Sequence, residues 1–280
     1  LRNYIFKPHG ANYVKISSTE LETASQQLIK LETKLITTMK DKFLIKCEEL
    51  YDKYGELFSR LNVFISEIDV LRSHSVTCIK NGYYRPEILN KYEGKSYFDA
   101  TDIRHPIIEM IQTSIPYISN DIQIVQEGIL LFGLNGGGKS SLLKSVGLSV
   151  IMAQMGMYVP AKTFVYYPFK TLYTRIMGND NIFKGLSSFA VEMTELRTIL
   201  KHADSNSLIL GDEICRGTEI YSALSIVSST INILCNKNTN FLFATHLHNL
   251  HEIEILKGLS NLRKFYIPLE IVDNKIIYGR

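Results

Sequence analysis

The chain has 280 residues, 45% hydrophobic and 21% charged, an ordinary globular balance with room for one large or two modest domains. Its formal net charge is only +3 and the basic residues are scattered, so charge alone does not argue for nucleic acid, whose backbone needs a clustered basic face. No apolar run approaches the roughly 20 residues that span a bilayer, and the four cysteines (Cys47, Cys78, Cys215, Cys235) form no C-x-x-C pair, so free thiols in a reducing compartment are expected.

The chain opens on Leu1 with nothing like a signal peptide, and stops at Arg280 just after a strand-like run, Lys275-Ile276-Ile277-Tyr278; both ends read as cut. From about Ser17 to Ile79 the pattern is helical. Leu21, Ala24, Leu28, Leu31 and Leu35 form one apolar stripe, and Thr19 with Glu22 predicts a capping box at its start. Phe58, Leu61, Ile65, Ile68 and Leu71 form a second stripe after an expected break near Gly55. Two packed core helices and a long antiparallel pair that transmits motion both fit this periodicity.

Past Asn81-Gly82 short apolar runs alternate with helical stretches. The runs Gly128–Phe132, Leu208–Leu210 and Phe241–Ala244 are continuously apolar, as strands buried on both faces of a parallel sheet are. The expected organisation is α/β: an all-α lever or core segment over residues 1–85, then a P-loop domain over 86–280 with a parallel or mixed sheet flanked by helices.

The run Gly133-Leu134-Asn135-Gly136-Gly137-Gly138-Lys139-Ser140-Ser141 fits G-x-x-x-x-G-K-[ST] between a strand and a helix. Glycines let successive amides curl around phosphates, Lys139 reaches the β- and γ-phosphates, and the Ser140 hydroxyl ligates Mg²⁺. The helix that follows points its positive end at the same anion. Downstream, the run Ser207–Glu213 is an apolar strand ending in Asp212-Glu213, which suits a Walker B pair: Asp212 on the Mg²⁺ shell, Glu213 as general base. A third apolar strand ends in Thr245-His246, where His246 is placed to sense the γ-phosphate or position the attacking water. His248 and His251 lack the cysteine or carboxylate partners of a tetrahedral metal site and read as surface residues. The absence of N-K-x-D argues against a switching GTPase, and the absence of L-S-G-G-Q against a transporter-type ATPase.

Together these motifs resemble the MutS family. Gly133–Ser141 is similar to G-P-N-M-G-G-K-S-T, and Met155–Ala161 to the glycine-tyrosine-valine-proline-alanine stretch that follows it. Ser187–Glu195 is similar to S-T-F-x-x-E-M-x-E, Asp212–Thr218 to D-E-x-G-R-G-T, Ala244-Thr245-His246 to A-T-H, and Asp102–Pro106 to the R-H-P entry of the ATPase domain. The resemblance covers about residues 100–250 and implies an ATPase that drives a protein bound to mismatched double-stranded DNA. It implies that Tyr117 stacks on adenine, that Ser187 reaches the γ-phosphate of an opposing subunit, and, more weakly, that Asp180 and Asn181 lie near nucleotide. Composite sites of this kind imply a homo- or heterodimer using ATP and Mg²⁺.

Leu134, Gly136, Ser141 and Cys215 depart from the usual proline, methionine, threonine and glycine. The loop and the Asn179–Gly185 run look most like the MutS variant of octocoral mitochondria and giant viruses, which implies a mitochondrial setting, with a nuclear or cytoplasmic one as the alternative; the lack of a spanning apolar run leaves no membrane partner expected. The mismatch-reading module with its Phe-x-Glu wedge is absent from these residues, as is the C-terminal helical dimer cap. The alternatives are a scaffold that binds ATP to dimerise and hardly hydrolyses it, and an ABC-type ATPase acting on other DNA structures.

Overall fold

The computed structural model describes residues 5–8, 14–111, 117–134, 136–176, 188–267, 269–272 and 275–278. It divides into two units, Leu1–Arg72 and Ser73–Arg280, with the division inside the long helix α1.

The first unit holds an antiparallel hairpin, β1 (Ile5–Pro8) and β2 (Val14–Ser17), and most of α1 (Thr19–Asn81). Two expectations are corrected here. The cap is Ser18, not Thr19: the Ser18 hydroxyl accepts the N–H of Leu21 at 3.2 Å, because the helix starts one residue earlier than the Thr19–Glu22 pairing supposes. The break near Gly55 does not exist, and α1 runs for 63 residues as one helix. A lone glycine costs a helix only about 1 kcal/mol relative to alanine, and no proline is present to enforce an end. The predicted stripe does share one face, where Ala24, Leu28, Leu31 and Leu35 line a shallow exposed groove.

In the second unit the chain continues through β3 (Glu87–Ile88), β4 (Tyr97–Ile103), the short α2 (Ile108–Ile111), β5 (Asn120–Val125), β6 (Gly128–Phe132) and α3 (Lys139–Gln154). Next come β7 (Thr163–Tyr167), β8 (Thr171–Arg175), α4 (Ser188–His202), β9 (Ser207–Asp212), α5 (Ile220–Asn236) and β10 (Asn240–Thr245). A 3-10 turn (His248–Glu252), α6 (Glu254–Lys257), β11 (Leu262–Tyr266) and the antiparallel pair β12 (Leu269–Val272) and β13 (Lys275–Tyr278) complete it.

The main sheet is five-stranded and parallel throughout, in the order β11-β6-β10-β9-β8. Every residue of β6, β9 and β10 is buried, which is why these three strands read as continuous apolar runs. Successive side chains serve opposite faces. Ile129 and Leu131 join Leu143, Val146 and Val150 of α3 in one core cluster that also takes Phe98 and Phe164 of a second sheet. Leu130 and Phe132 join Ile199 of α4 and Val227 and Ile231 of α5 in the other. The second sheet is mixed, in the order β3-β7-β4-β5. Among the described residues no helix is long and apolar enough to cross a membrane.

The start of β6 shows how closely the main sheet is packed. A Cβ on Gly128 would lie 1.9 Å from Cζ of Phe241, its register partner on β10, and Phe241 is fully buried. Gly128→Ala is therefore expected to destabilise the domain by about 3 kcal/mol, since overpacking forces ring and backbone to shift. Urea denaturation checks this; an unchanged midpoint would show that the ring has room to move.

Candidate nucleotide site

The parallel registers bring three strand ends level. Thr245 of β10 pairs with Phe132 of β6, and Ala244 pairs with Asp212 of β9. The loop after β6, the carboxylates after β9 and His246 after β10 therefore leave the same carboxyl edge of the sheet, the side on which open α/β sheets bind ligands.

The loop after Phe132 turns through two left-handed glycines, Gly136 (φ 84) and Gly138 (φ 89), which a Cβ would disfavour. Gly138 is the N-cap of α3 and supplies no side-chain bond, so the first amides of that helix are open to an anion. Gly133, Ser140 and Ser141 are half-buried, Gly137 is buried and Gly136 is exposed. Lys139 is only 4% exposed, and its Nζ donates to the carbonyls of Gly133 at 2.5 Å and Leu134 at 2.9 Å. Burial lowers the pKa of this ammonium, and the nearby charges of Glu213 and Asp212 oppose that shift. Those three groups thus share one electrostatic neighbourhood. Asn135, Asp180, Asn181 and Ser187 lie outside the described residues.

Asp212 is buried, and its Oδ1 has no hydrogen-bond partner among the described residues. A buried carboxylate oxygen left bare is costly unless water or a cation satisfies it, and hard oxygen donors suit Mg²⁺, so these residues fit such an ion. Glu213 takes a left-handed backbone (φ 52), and its N–H donates to Ala244 O at 2.9 Å. Its carboxylate is held from both sides: Oε1 contacts Nε2 of His246, and Oε2 accepts from Nη1 of Arg216 at 2.7 Å. Thr245 turns the chain at His246 by accepting the N–H of Leu247 on its hydroxyl at 3.0 Å.

Tyr117 is half-buried, with its hydroxyl 3.1 Å from Ser145 Oγ on α3. Its neighbour Ile118 lines a cavity of about 650 Å³ that also takes in Gly137, Gly138, Gln123, Arg263 and Phe265. That volume lies within the usual range for small-molecule pockets. His248 and His251 are exposed on the 3-10 turn.

Residues 129–279, more than half of the chain, match the family model for MutS domain V. The chain belongs to the MutS family. It is 36% identical to a putative DNA mismatch repair protein mutS homologue of Acanthamoeba polyphaga mimivirus, over 98% of this chain and 28% of that protein. It is 40% identical to a mitochondrial DNA mismatch repair protein mutS homologue of Sarcophyton glaucum, over 86% of this chain and 25% of the relative. A DNA mismatch repair protein MutS of Clostridium botulinum is 34% identical over 99% of this chain and 30% of its own length. The chain thus spans under a third of the length of these MutS relatives. The giant-virus and octocoral proteins are of the two kinds that the Gly133–Ser141 and Asn179–Gly185 runs resembled.

Three contributors to this candidate site were given no role from sequence. Arg216 grips Glu213. Glu192 of α4 accepts the N–H of Cys215 at 2.9 Å, and Arg175 at the end of β8 sits beside Glu192. Glu192 and Arg216 both stand inside the quoted family motifs, which was the available signal; Arg175 carried none.

Proposed function

We propose that this chain is the ATP-binding and ATP-hydrolysing part of a MutS-type DNA mismatch repair protein, an ABC-type P-loop ATPase over residues 86–280 preceded by a helical lever over 1–85. The reading is carried by one observation: Lys139, the bare Oδ1 of Asp212, Glu213 and His246 converge at one sheet edge beside the open N-terminus of α3. The amides from Gly133 to Gly138, with Asn135, take the phosphates, and Lys139 turns from its carbonyls to the β- and γ-phosphate oxygens. Ser140 and Asp212 hold Mg²⁺, with Ser141 completing the loop. Bound there, Mg²⁺ supplies charge neutralisation at the phosphate oxygens. Glu213 accepts the proton of the attacking water, and His246 orients the carboxylate and faces the last phosphate.

The cavity beside Gly137 and Gly138 leaves room for the nucleoside, and Tyr117, next in sequence to the lining residue Ile118, stacks on the adenine. Ser187 of a second copy or of a related subunit completes each site. Mismatched double-stranded DNA is the partner, contacted mostly outside these residues, and the Sarcophyton relative supports a mitochondrial setting.

Single-turnover hydrolysis at saturating ATP, with molecular mass followed alongside, tests the proposal on the intact protein. The expected result is phosphate release coupled to a nucleotide-dependent dimer. Binding and dimerisation without hydrolysis would make the protein a scaffold instead.

A further inference from the structure

Glu192 is a carboxylate on α4 that is only 7% exposed, so its charge must be satisfied by protein groups. Its Oε1 accepts the Cys215 N–H at 2.9 Å and lies 3.6 Å from Nε of Arg175, whose Nη1 is 3.1 Å from Glu195 Oε2. Cys215 stands two residues beyond Glu213. Both hold left-handed backbone, φ 64 and φ 52, which any residue with a Cβ adopts at a cost. Inside the turn the backbone bonds are long: Arg216 N to Glu213 O at 3.3 Å and Thr218 N to Cys215 O at 3.5 Å. The charge-assisted bond that the Cys215 N–H donates to the buried carboxylate is the stronger tie. The Cys215 thiol is itself buried, which with the nearby Glu192 charge pushes its pKa up to about 11.

We infer that Glu192 is a positioning residue for hydrolysis: steadied by Arg175, it pins the N–H of Cys215 and so holds the strained turn that aims Glu213. The inference rests on the reading of Glu213 as general base. It separates α4 from a purely packing role, because the pinned atom belongs to the turn that carries the base. It also gives Cys215 a consequence. A glycine there would adopt the same backbone freely and would depend less on the anchor.

ATP affinity and single-turnover hydrolysis of the intact protein are measured for Glu192→Ala, Glu192→Gln, Cys215→Gly and the Glu192→Ala/Cys215→Gly double variant, with Glu213→Ala alongside. Glu192→Ala is expected to keep the Kd for ATP within about twofold and to slow hydrolysis by about 10- to 100-fold, the scale of an ångström misplacement of a catalytic group. Glu192→Gln, which keeps an oxygen acceptor, recovers most of that loss. Cys215→Gly recovers more rate in the Glu192→Ala background than it changes in the parent. If Glu192→Ala does not fold, Glu192→Met, similar in size without the acceptor, takes its place.

Full hydrolysis in Glu192→Ala with an inactive Glu213→Ala overturns the positioning role and leaves the base reading standing. Parent-like hydrolysis in Glu213→Ala removes the base reading and this inference with it. Loss of binding and rate together, unmoved by glutamine or by Cys215→Gly, reduces Glu192 to a structural residue and overturns the inference.

Discussion

Replacing Glu213 by alanine is expected to leave ATP binding intact and to slow single-turnover hydrolysis by roughly 10²- to 10⁴-fold, the range removed with a general base. The separation of binding from chemistry follows from what each group touches. In the proposed site Lys139 and the loop amides take the phosphates, whereas the Glu213 side chain meets only His246 and Arg216 among the bonds described. Removing it leaves the phosphate cradle and the bare Asp212 oxygen in place. It also frees His246 from its carboxylate partner, so affinity can even rise slightly where an anion replaces Glu213 as the nearest acceptor. Filter-binding or fluorescence titration gives the Kd, and quench-flow the rate. Equal rates in the variant and the parent would count decisively against Glu213 as the base.

Much of the fold near this site was legible in the sequence because burial wrote it there. Strands covered on both faces read as unbroken apolar runs, and β6, β9 and β10 fall where Gly128–Phe132, Leu208–Leu210 and Phe241–Ala244 stood out. The strand-like run Lys275–Tyr278 forms β13. Strand order was not legible. The interposition of β10 between β6 and β9, which sets His246 beside Glu213, depends on crossovers that leave no periodic trace.

The misses have separate causes. The break at Gly55 was read from a weak local preference, and a preference of about 1 kcal/mol does not end a long helix. The Ser18 cap differs from the Thr19 reading by one residue, the scale on which cap chemistry alone decides a helix start. The Glu192–Cys215 bond joins residues 23 apart through one side chain and one amide, and single contacts of that kind are invisible to periodicity. The family motif marked both ends of that bond without saying that they meet.

Lys139→Ala is expected to raise the Kd for ATP by roughly 10²- to 10⁴-fold, because two charge-assisted hydrogen bonds worth about 1.5–3 kcal/mol each are lost. The ammonium is prepared for this role at a cost. It is 4% exposed, burial lowers its pKa, and it is steadied by the carbonyls of Gly133 and Leu134 and by the charges of Asp212 and Glu213. A triphosphate offers it stronger acceptors than two neutral carbonyls, so binding relieves a desolvated charge as well as adding contacts. Arginine is not expected to rescue the site, since its larger planar head does not fit where a compact ammonium sits at 4% exposure. Thermal denaturation without nucleotide separates this loss from unfolding. Removal of the buried charge offsets the loss of its two carbonyl bonds, so the midpoint should move by only a few degrees. A Lys139→Ala protein that binds ATP as tightly as the parent would leave the loop from Gly133 to Ser141 as a glycine-rich turn with no phosphate to hold.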